Sequence, residues 1–285
     1  MIYVSSTCIK ARTIKESVTA LAQAGFCNIE LSGGTKYYPD YEKDLLELQD
    51  KYALNYQVHN YFPPPSLKPF VLNLATLNDD LYQQSIEHCK TAIMACKKFG
   101  SQKYGVHAGF LIDFHADEVG RKIGYRFLNN REKSLERLIK AWDILAEEAN
   151  DEIDLYFENN VLSLTNAKTY AGENPFLLTD FEGYLEIKEK INFEILLDLA
   201  HLKVSANTLG LDFNEEAEKL MLLTDYIHAS GNDGQHDQNL SLGGDNDILG
   251  ILRRTELSNK TIVLEVYGRM SHIIESFDLV KSISE

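Results

Sequence analysis

Carboxylate and imidazole side chains recur along this chain at the points where apolar runs end. The run that begins at Asn192 is rich in branched and aromatic residues, stops at Asp198 and is followed by His201. An acidic side chain at the end of a buried strand is costly unless it is paired or holds a cation. Other runs end in the same way, at Glu30, His59, His107, Glu158, His228 and Glu265. These residue types are ligands for divalent metal ions and groups for acid–base chemistry.

The apolar runs have the length and composition of strands that are buried on both faces of a parallel sheet. Eight are recognisable, at residues 2–5, 27–31, 54–59, 103–107, 153–158, 192–198, 226–228 and 261–265. Eight helical patterns alternate with them; one passes through residues 220–223 and the last starts at Ser271. This order predicts an α/β fold, a (β/α)8 TIM barrel that forms a single domain over residues 1–285. A doubly wound open sheet is the alternative, but no glycine-rich fingerprint follows the first strand.

In such a barrel the carboxyl ends of all strands open into one mouth, so the residues at the strand ends would converge. Strands five to eight supply three carboxylates and one imidazole, namely Glu158, Asp198, His228 and Glu265. This set suits manganese, cobalt, zinc or magnesium, and the residues alone do not choose among them. Without a cation the carboxylates would repel one another and raise each other's pKa. The sequence therefore predicts a divalent metal site.

Each of these residues also has a simpler interpretation. A single strand-end residue is more often a helix cap or an ion-pair partner than a functional group. Function is favoured because four of the eight histidines occupy or closely follow strand ends. His88 and His272 are predicted to be surface residues, and Glu30 could pair with a nearby lysine. Arg269 and Lys203 could meet an anionic group, although a surface ion pair is the more common role.

The composition points away from nucleic acid and membranes. The chain has 285 residues, of which 28 are basic and 43 acidic, and its formal net charge is -15. A field of this sign repels nucleic acid and anionic membranes at long range, although a local basic patch could override it. The four cysteines show no metal-type or redox-type pairing, which indicates structural thiols in a reducing compartment. With no signal peptide and no apolar run of bilayer length, we expect a soluble cytoplasmic protein.

Short motifs at the strand ends follow one another in a fixed order. They are Ile29-Glu30-Leu31, Val106-His107-Ala108-Gly109, Phe157-Glu158-Asn159, Asp198-Leu199-Ala200-His201, His228 and Leu264-Glu265. Each motif is short, but the ordered set covers nearly the whole chain. It resembles the xylose isomerase-like barrel superfamily, which contains sugar isomerases and epimerases and also apurinic-site endonucleases of the endonuclease IV type.

The resemblance to the epimerases implies one divalent metal ion, and its ligands would be Glu158, Asp198, His228 and Glu265. It also implies that Glu158 and Glu265 are the acid and base on opposite faces of the sugar, working by proton abstraction through a metal-stabilised cis-enediolate. His201 resembles the histidine that binds a substrate oxygen. The further residues predicted to contact substrate are Glu30, Asn159 and Arg269. The expected partner is a small-molecule carbohydrate, and a homo-oligomer is compatible with the sequence.

The resemblance to the endonucleases implies additional metal ions. His59 and His107 fall where that family binds a second metal ion bridged by Glu158. Residues 237–243, which begin with Asp237, resemble the segment that would hold a third metal ion together with His201.

Asn239, a much poorer ligand, stands where the endonucleases have a histidine, which counts against a third metal ion. Two features favour sugars over DNA: positive residues are sparse along the predicted barrel rim, and the loop after the second strand differs from that of the endonucleases. The loop at residues 33–41 contains no arginine, unlike the loop with which the endonucleases enter DNA, so nucleic acid is not the expected partner. A metal-dependent phosphodiesterase or apurinic-site endonuclease is therefore the alternative. A barrel that binds metal or sugar without turnover is the second alternative.

Overall fold

A computed structural model describes residues 1–66 and 68–284, so Leu67 and Glu285 of the predicted domain lie outside the described residues. Eight parallel strands form a closed barrel in which neighbours follow chain order and the eighth strand pairs with the first. The strands are β1 (Ile2–Ser5), β2 (Asn28–Leu31), β3 (Asn55–His59), β4 (Lys103–His107), β5 (Asp154–Glu158), β6 (Glu194–Asp198), β7 (Tyr226–Ala229) and β8 (Thr261–Leu264). The predicted single-domain TIM barrel is confirmed, with strand bounds that differ only at their ends.

Ten α-helices surround the barrel in the part of the chain that the structure describes. They are α1 (Ile14–Gln23), α2 (Tyr41–Tyr52), α3 (Asp79–Phe99), α4 (Arg131–Ala149), α5 (Leu164–Thr169), α6 (Phe181–Lys188), α7 (Leu199–Leu209), α8 (Phe213–Met221), α9 (Asn246–Arg254) and α10 (Met270–Ser284). Among the residues described, no helix is long and apolar enough to cross a membrane.

The sequence prediction missed α5 and α7. Helix α7 begins directly after Asp198, whose Oδ1 accepts a hydrogen bond from the backbone N–H of His201 at 2.7 Å and so caps the helix. It ends at Gly210, whose φ of 73° lies in the left-handed region. Helix α8 then ends at Met221, so the prediction that a helix continues to residue 223 is wrong.

Side chains inside the barrel are arranged in layers. The lower layer is an apolar cluster of Tyr3, Tyr156, Leu196, Tyr226 and Val263. Because side chains alternate across a strand, a residue two positions further along points to the same side. Two positions beyond the last four of these residues stand Glu158, Asp198, His228 and Glu265. The strands therefore carry all four predicted ligands in the layer above an apolar plug.

Loops beside the mouth form a second apolar cluster that includes Phe110, Ile112 and Phe176. A single antiparallel bridge joins Phe110 to Phe176, and the ring of Phe110 lies 6.4 Å from the ring of His107. The main core, in contrast, lies between the outward face of the barrel and the helices, where Ile29, Phe157 and many other apolar side chains are buried. The site is thus held by a rigid barrel and walled on one side by packed loops.

Candidate metal and acid–base site

Glu158, at the end of β5, is the centre of the site. Its Oε2 lies 2.8 Å from Nε2 of His59 and 3.4 Å from Nε2 of His107. Its Oε1 lies 3.6 Å from Nδ1 of His228 and 3.8 Å from Nδ1 of His201. Burial alone would raise the pKa of Glu158, but the adjacent His107 and His59 imidazoles outweigh it and hold that pKa well below its usual range. Three imidazoles from different strands and one from a helix thus surround one buried carboxylate.

The two ring nitrogens of His228, on β7, face different carboxylates. Its Nε2 lies 3.2 Å from Oε2 of Glu30, which also accepts a hydrogen bond from the hydroxyl of Tyr226. Its Nδ1 is buried and has no hydrogen-bond partner among the described residues. That nitrogen faces Oε1 of Glu158 at 3.6 Å and Oε2 of Glu265 at 3.8 Å. A lone imidazole nitrogen between two carboxylates is the arrangement expected at a cation site.

Asp198 ends β6 and is fixed by Asn159. The side chain of Asn159 donates to the backbone carbonyl of Asp198 at 3.0 Å and accepts from its backbone N–H at 2.7 Å. Burial raises the pKa of Asp198, and the negative charge of Glu158 acts in the same direction. The charge of His201 opposes these effects but does not outweigh them, so a cation near Asp198 would be favoured.

His201, on the first turn of α7, lies between two aspartates. Its Nδ1 is 2.9 Å from the backbone carbonyl of Asn159, and its Nε2 is 3.5 Å from Oδ2 of Asp237 and 3.8 Å from Oδ2 of Asp198. Burial alone would lower the pKa of His201, but the two aspartates outweigh it and raise that pKa well above its usual value. His201 is therefore a protonated donor beside the mouth.

Glu265, one residue beyond β8, differs from Glu158 in its surroundings. Its side chain is 12% exposed, so it lies nearer the opening than Glu158. Burial raises the pKa of Glu265 to about 7, and the charges of Glu30 and Glu158 add to this increase although His228 and His59 oppose it. The two glutamates near His228 thus have pKa values that are shifted in opposite directions.

The donor atoms fit a divalent cation. Glu158, Asp198 and His228 each offer one ligand atom within 4.8 Å of the others. Glu265 instead groups at this distance with Glu30, His59 and His228. His228 is therefore the residue that the two groups share. Carboxylate oxygens combined with imidazole nitrogen suit manganese, cobalt, zinc or magnesium. A cation would also occupy the space faced by the unpaired Nδ1 of His228.

The residues predicted to bind additional metal ions are only partly brought together. His107, Glu158 and His201 form one group of close ligand atoms, whereas His59 belongs to the group around Glu30. Burial lowers the pKa of His107 to about 4, so its ring is neutral near neutral pH. Asn239, in the segment that would hold a third ion, accepts a hydrogen bond from the hydroxyl of Ser230 at 3.1 Å instead of pointing to a free site.

The residues predicted to contact substrate lie in different places. Glu30 has no exposed surface and pairs with His228 and Tyr226, so the prediction that it pairs with a lysine is wrong, whereas its contact with substrate stays a prediction. Both polar ends of the Asn159 side chain are used by the backbone of Asp198, so Asn159 positions Asp198, and its contact with substrate stays a prediction. Arg269 is exposed next to the start of α10, and within the described residues its side chain forms no ion pair.

Two other side chains are more buried than the sequence predicted. His88 packs against the rings of Tyr61 and Phe70, with ring centroids 6.1 and 5.7 Å away, and burial lowers the pKa of His88 to about 4. Lys203 is buried and its Nζ lies 2.9 Å from both carboxylate oxygens of Asp245. The surface prediction for both residues is therefore wrong, whereas His272 is exposed as predicted.

Sequence reasoning did not find Tyr226, although a signal was present. Tyr226 stands two positions before His228 on the same strand, and the period of a strand places both side chains inside the barrel. Ser32, whose hydroxyl lies 3.2 Å from Nδ1 of His59, was also missed. No local pattern marks it, because the contact joins the loop after β2 to β3.

Known proteins with the same architecture include both enzyme types named above. The uncharacterized protein MJ1311 of Methanocaldococcus jannaschii is 27% identical over 250 residues, which cover 85% of this chain and 74% of that protein. The crystal structure of a D-tagatose 3-epimerase-like protein has a TM-score of 0.73 and 21% identity, covering 99% of this chain and 96% of that chain. Endonuclease IV from Thermus thermophilus has a TM-score of 0.62 and 13% identity, covering 99% of this chain and 98% of that chain. At such identities the two solved structures show a shared fold.

The family itself is shown by a match over most of the chain. The family model described as the xylose isomerase-like TIM barrel matches residues 18–283. The matched segment contains every strand except β1 and all the strand-end residues described above. This chain belongs to the xylose isomerase-like TIM barrel family.

Proposed function

We propose that this protein is a divalent-metal-dependent isomerase or epimerase that acts on a small carbohydrate. The observation that carries the proposal is the approach of two glutamates, one at the end of β5 and one just beyond β8, to one unpaired nitrogen. Glu158 and Glu265 lie 3.6 and 3.8 Å from Nδ1 of His228. An acid and a base held near one cation are what inversion of a carbon next to a carbonyl requires. The similarity to a D-tagatose 3-epimerase-like protein supports this choice of reaction.

Glu158 and Glu265 exchange protons with the substrate carbon in the proposed mechanism. When bound by Glu158, Asp198, His228 and Glu265, a divalent cation would polarise a carbonyl and its neighbouring hydroxyl and so acidify the adjacent C–H bond. Glu158, buried at the end of β5, acts as the carboxylate that removes the proton. Glu265, which lies nearer the opening, returns a proton from the other face.

His201 binds a substrate oxygen in this mechanism. Its Nδ1 donates to the carbonyl of Asn159 at 2.9 Å, which fixes the ring and directs Nε2 toward Asp237 near the opening. The side chains of Asp237 and His107 are 21% and 22% exposed, so we propose that substrate enters along this side. A protonated Nε2 there donates to the oxygen on which negative charge develops.

The proposal is tested by exchanging each glutamate for its amide. We expect metal-loaded Glu158→Gln and Glu265→Gln to lose about 10²–10⁴-fold in kcat, the usual contribution of a positioned acid or base. Glu47→Gln is the matched control, since that side chain is 60% exposed on α2. The assay follows the interconversion of a panel of ketoses and sugar acids by NMR. A wild-type protein that converts none of them with manganese, cobalt, zinc or magnesium would refute the proposal, and a non-catalytic barrel would then be favoured.

A metal-dependent phosphodiesterase or apurinic-site endonuclease is the second candidate. It is favoured by one observation, the approach of His59 and His107 to the same oxygen of Glu158, at 2.8 and 3.4 Å. The hydrogen bond from Ser230 to Asn239 weighs against a third metal ion. A duplex with a single abasic site separates the two candidates: strand cleavage that requires His59 and His107 would support the endonuclease and contradict the sugar isomerase.

A further inference from the structure

We propose that Glu30 and Tyr226 are positioning residues that hold His228 so that Nδ1 is its metal-binding atom. This inference rests on the metal site of the proposed function but does not depend on the reaction that the site performs. It concerns a contact across the barrel, because Glu30 lies on β2 whereas Tyr226 and His228 lie on β7.

One carboxylate oxygen of Glu30 faces the polar atoms of both Tyr226 and His228. Its Oε2 accepts from the hydroxyl of Tyr226 and lies 3.2 Å from Nε2 of His228. A carboxylate at this position holds a proton on Nε2, and the neutral imidazole then carries its free electron pair on Nδ1. Carboxylate–histidine–metal chains of this kind fix the tautomer and the orientation of the ring. In this chain the arrangement depends on a glutamate at position 30 and on a tyrosine two residues before His228.

Tyr226 determines where the Glu30 carboxylate points. The tyrosine is fully buried in the lower layer of the barrel, and its hydroxyl donates to Oε2 of Glu30. Removing that hydroxyl leaves the Glu30 carboxylate with one donor fewer and free to turn away from His228. Because the hydroxyl of Tyr226 donates to Glu30, its removal is expected to reach the cation site through Glu30 and His228.

The location of Glu30 suits a group that acts through its neighbours inside the barrel. Its side chain has no exposed surface, and its second oxygen, Oε1, has no hydrogen-bond partner among the described residues. That oxygen lies 3.8 Å from Nδ1 of His59. Glu30 thus faces two imidazoles inside the barrel, His228 and His59, and is placed to orient a ligand.

Metal binding by variants of the two positioning residues provides the first test. Mn²⁺ alone is titrated into metal-free protein, and its Kd is measured by calorimetry. Glu30→Gln is expected to raise the Kd about 10–100-fold, the usual effect of removing such an outer partner, and Tyr226→Phe to raise it in the same direction by a smaller factor. Tyr156→Phe is the matched control, because Tyr156 belongs to the same layer but its hydroxyl donates to Asp225. Equal Kd values for Tyr226→Phe, Tyr156→Phe and wild type would overturn the proposal.

The second test needs no variant and therefore does not depend on how the variants fold. Nitrogen-15 NMR of the Zn²⁺-loaded wild-type protein reports which nitrogen of His228 carries a proton. We expect a proton on Nε2 and coordination through Nδ1; coordination through Nε2 would overturn the proposal. Neither test includes a sugar, so a protein that binds metal as expected but converts no carbohydrate would refute the proposed function and leave this inference standing.

Discussion

Nδ1 of His228 on β7 lies 3.6 Å from Oε1 of Glu158 on β5, two buried groups that are far apart in sequence. Strand β6 stands between them in the barrel, and it supplies Asp198 to the same group of ligand atoms. Three consecutive strands therefore meet at one point above the apolar plug. This convergence is what makes a single bound cation the central feature of the proposed chemistry.

Metal content is the first prediction. We expect about one divalent ion per chain, bound by the group that contains Glu158, Asp198 and His228. His228→Ala should remove this ion because it deletes the unpaired nitrogen, whereas His107→Ala should leave the content unchanged. Elemental analysis of the purified proteins measures both effects. Two ions per chain in the wild type, with one lost in His107→Ala, would favour the phosphodiesterase.

The pH dependence of stability is the second prediction. Burial raises the pKa of Glu265 to about 7 in the folded chain, above the ordinary value of 4.5. The folded state therefore binds this proton more tightly than the unfolded state, so the contribution of Glu265 to stability is fully present below about pH 4.5 and is lost as pH rises through about 7.

Urea unfolding of metal-free protein between pH 4.5 and 8 tests the direction of this pH dependence. Relative to Glu265→Gln, which has no proton to lose at this position, the wild type should become steadily less stable as the pH rises. The comparison cancels the opposite contribution of His107, because its pKa of about 4 is shared by both proteins. A constant difference between the two unfolding free energies across this range would contradict the assignment.

The buried ion pair between Lys203 and Asp245 gives the third prediction. Lys203→Met should reduce the free energy of unfolding by about 3–5 kcal/mol, because it leaves the Asp245 carboxylate buried without its partner. Lys43→Met is the control, since Lys43 and Glu47 are 74% and 60% exposed and their pair should contribute little. Chemical unfolding followed by the fluorescence of the single tryptophan, Trp142, measures both. Equal effects of the two substitutions would show that the Lys203 pair is not structural.

Much of the barrel and of the site followed from local sequence. Each strand is an apolar run with a polar residue where it ends, so the strand order and the positions of Glu158, Asp198, His228 and Glu265 could be read directly. Helix α7 could not, because Asp198 ends a strand and caps a helix at the same time, and the apolar run before it indicates only the first of these roles.

Contacts across the barrel could not be predicted in the same way. Whether Glu30 meets a lysine, a substrate or His228 depends on the closure and register of strands that are distant in the chain, which no local pattern encodes. Asn159 illustrates the same limit, since its side chain binds the backbone of a neighbouring strand. The sequence therefore predicted which residues reach the mouth but not which of them support the others.

Proton exchange at carbon tests the central claim most directly. The metal-loaded protein is incubated in D2O with individual ketoses and sugar acids, and the substrates are analysed by NMR and mass spectrometry. We predict that at least one substrate gains one deuterium at the carbon next to its carbonyl, and that Glu158→Gln and Glu265→Gln abolish this exchange while Glu47→Gln does not. Conversion of a sugar without uptake of solvent deuterium at that carbon, or exchange that persists in both active-site variants, would contradict the account.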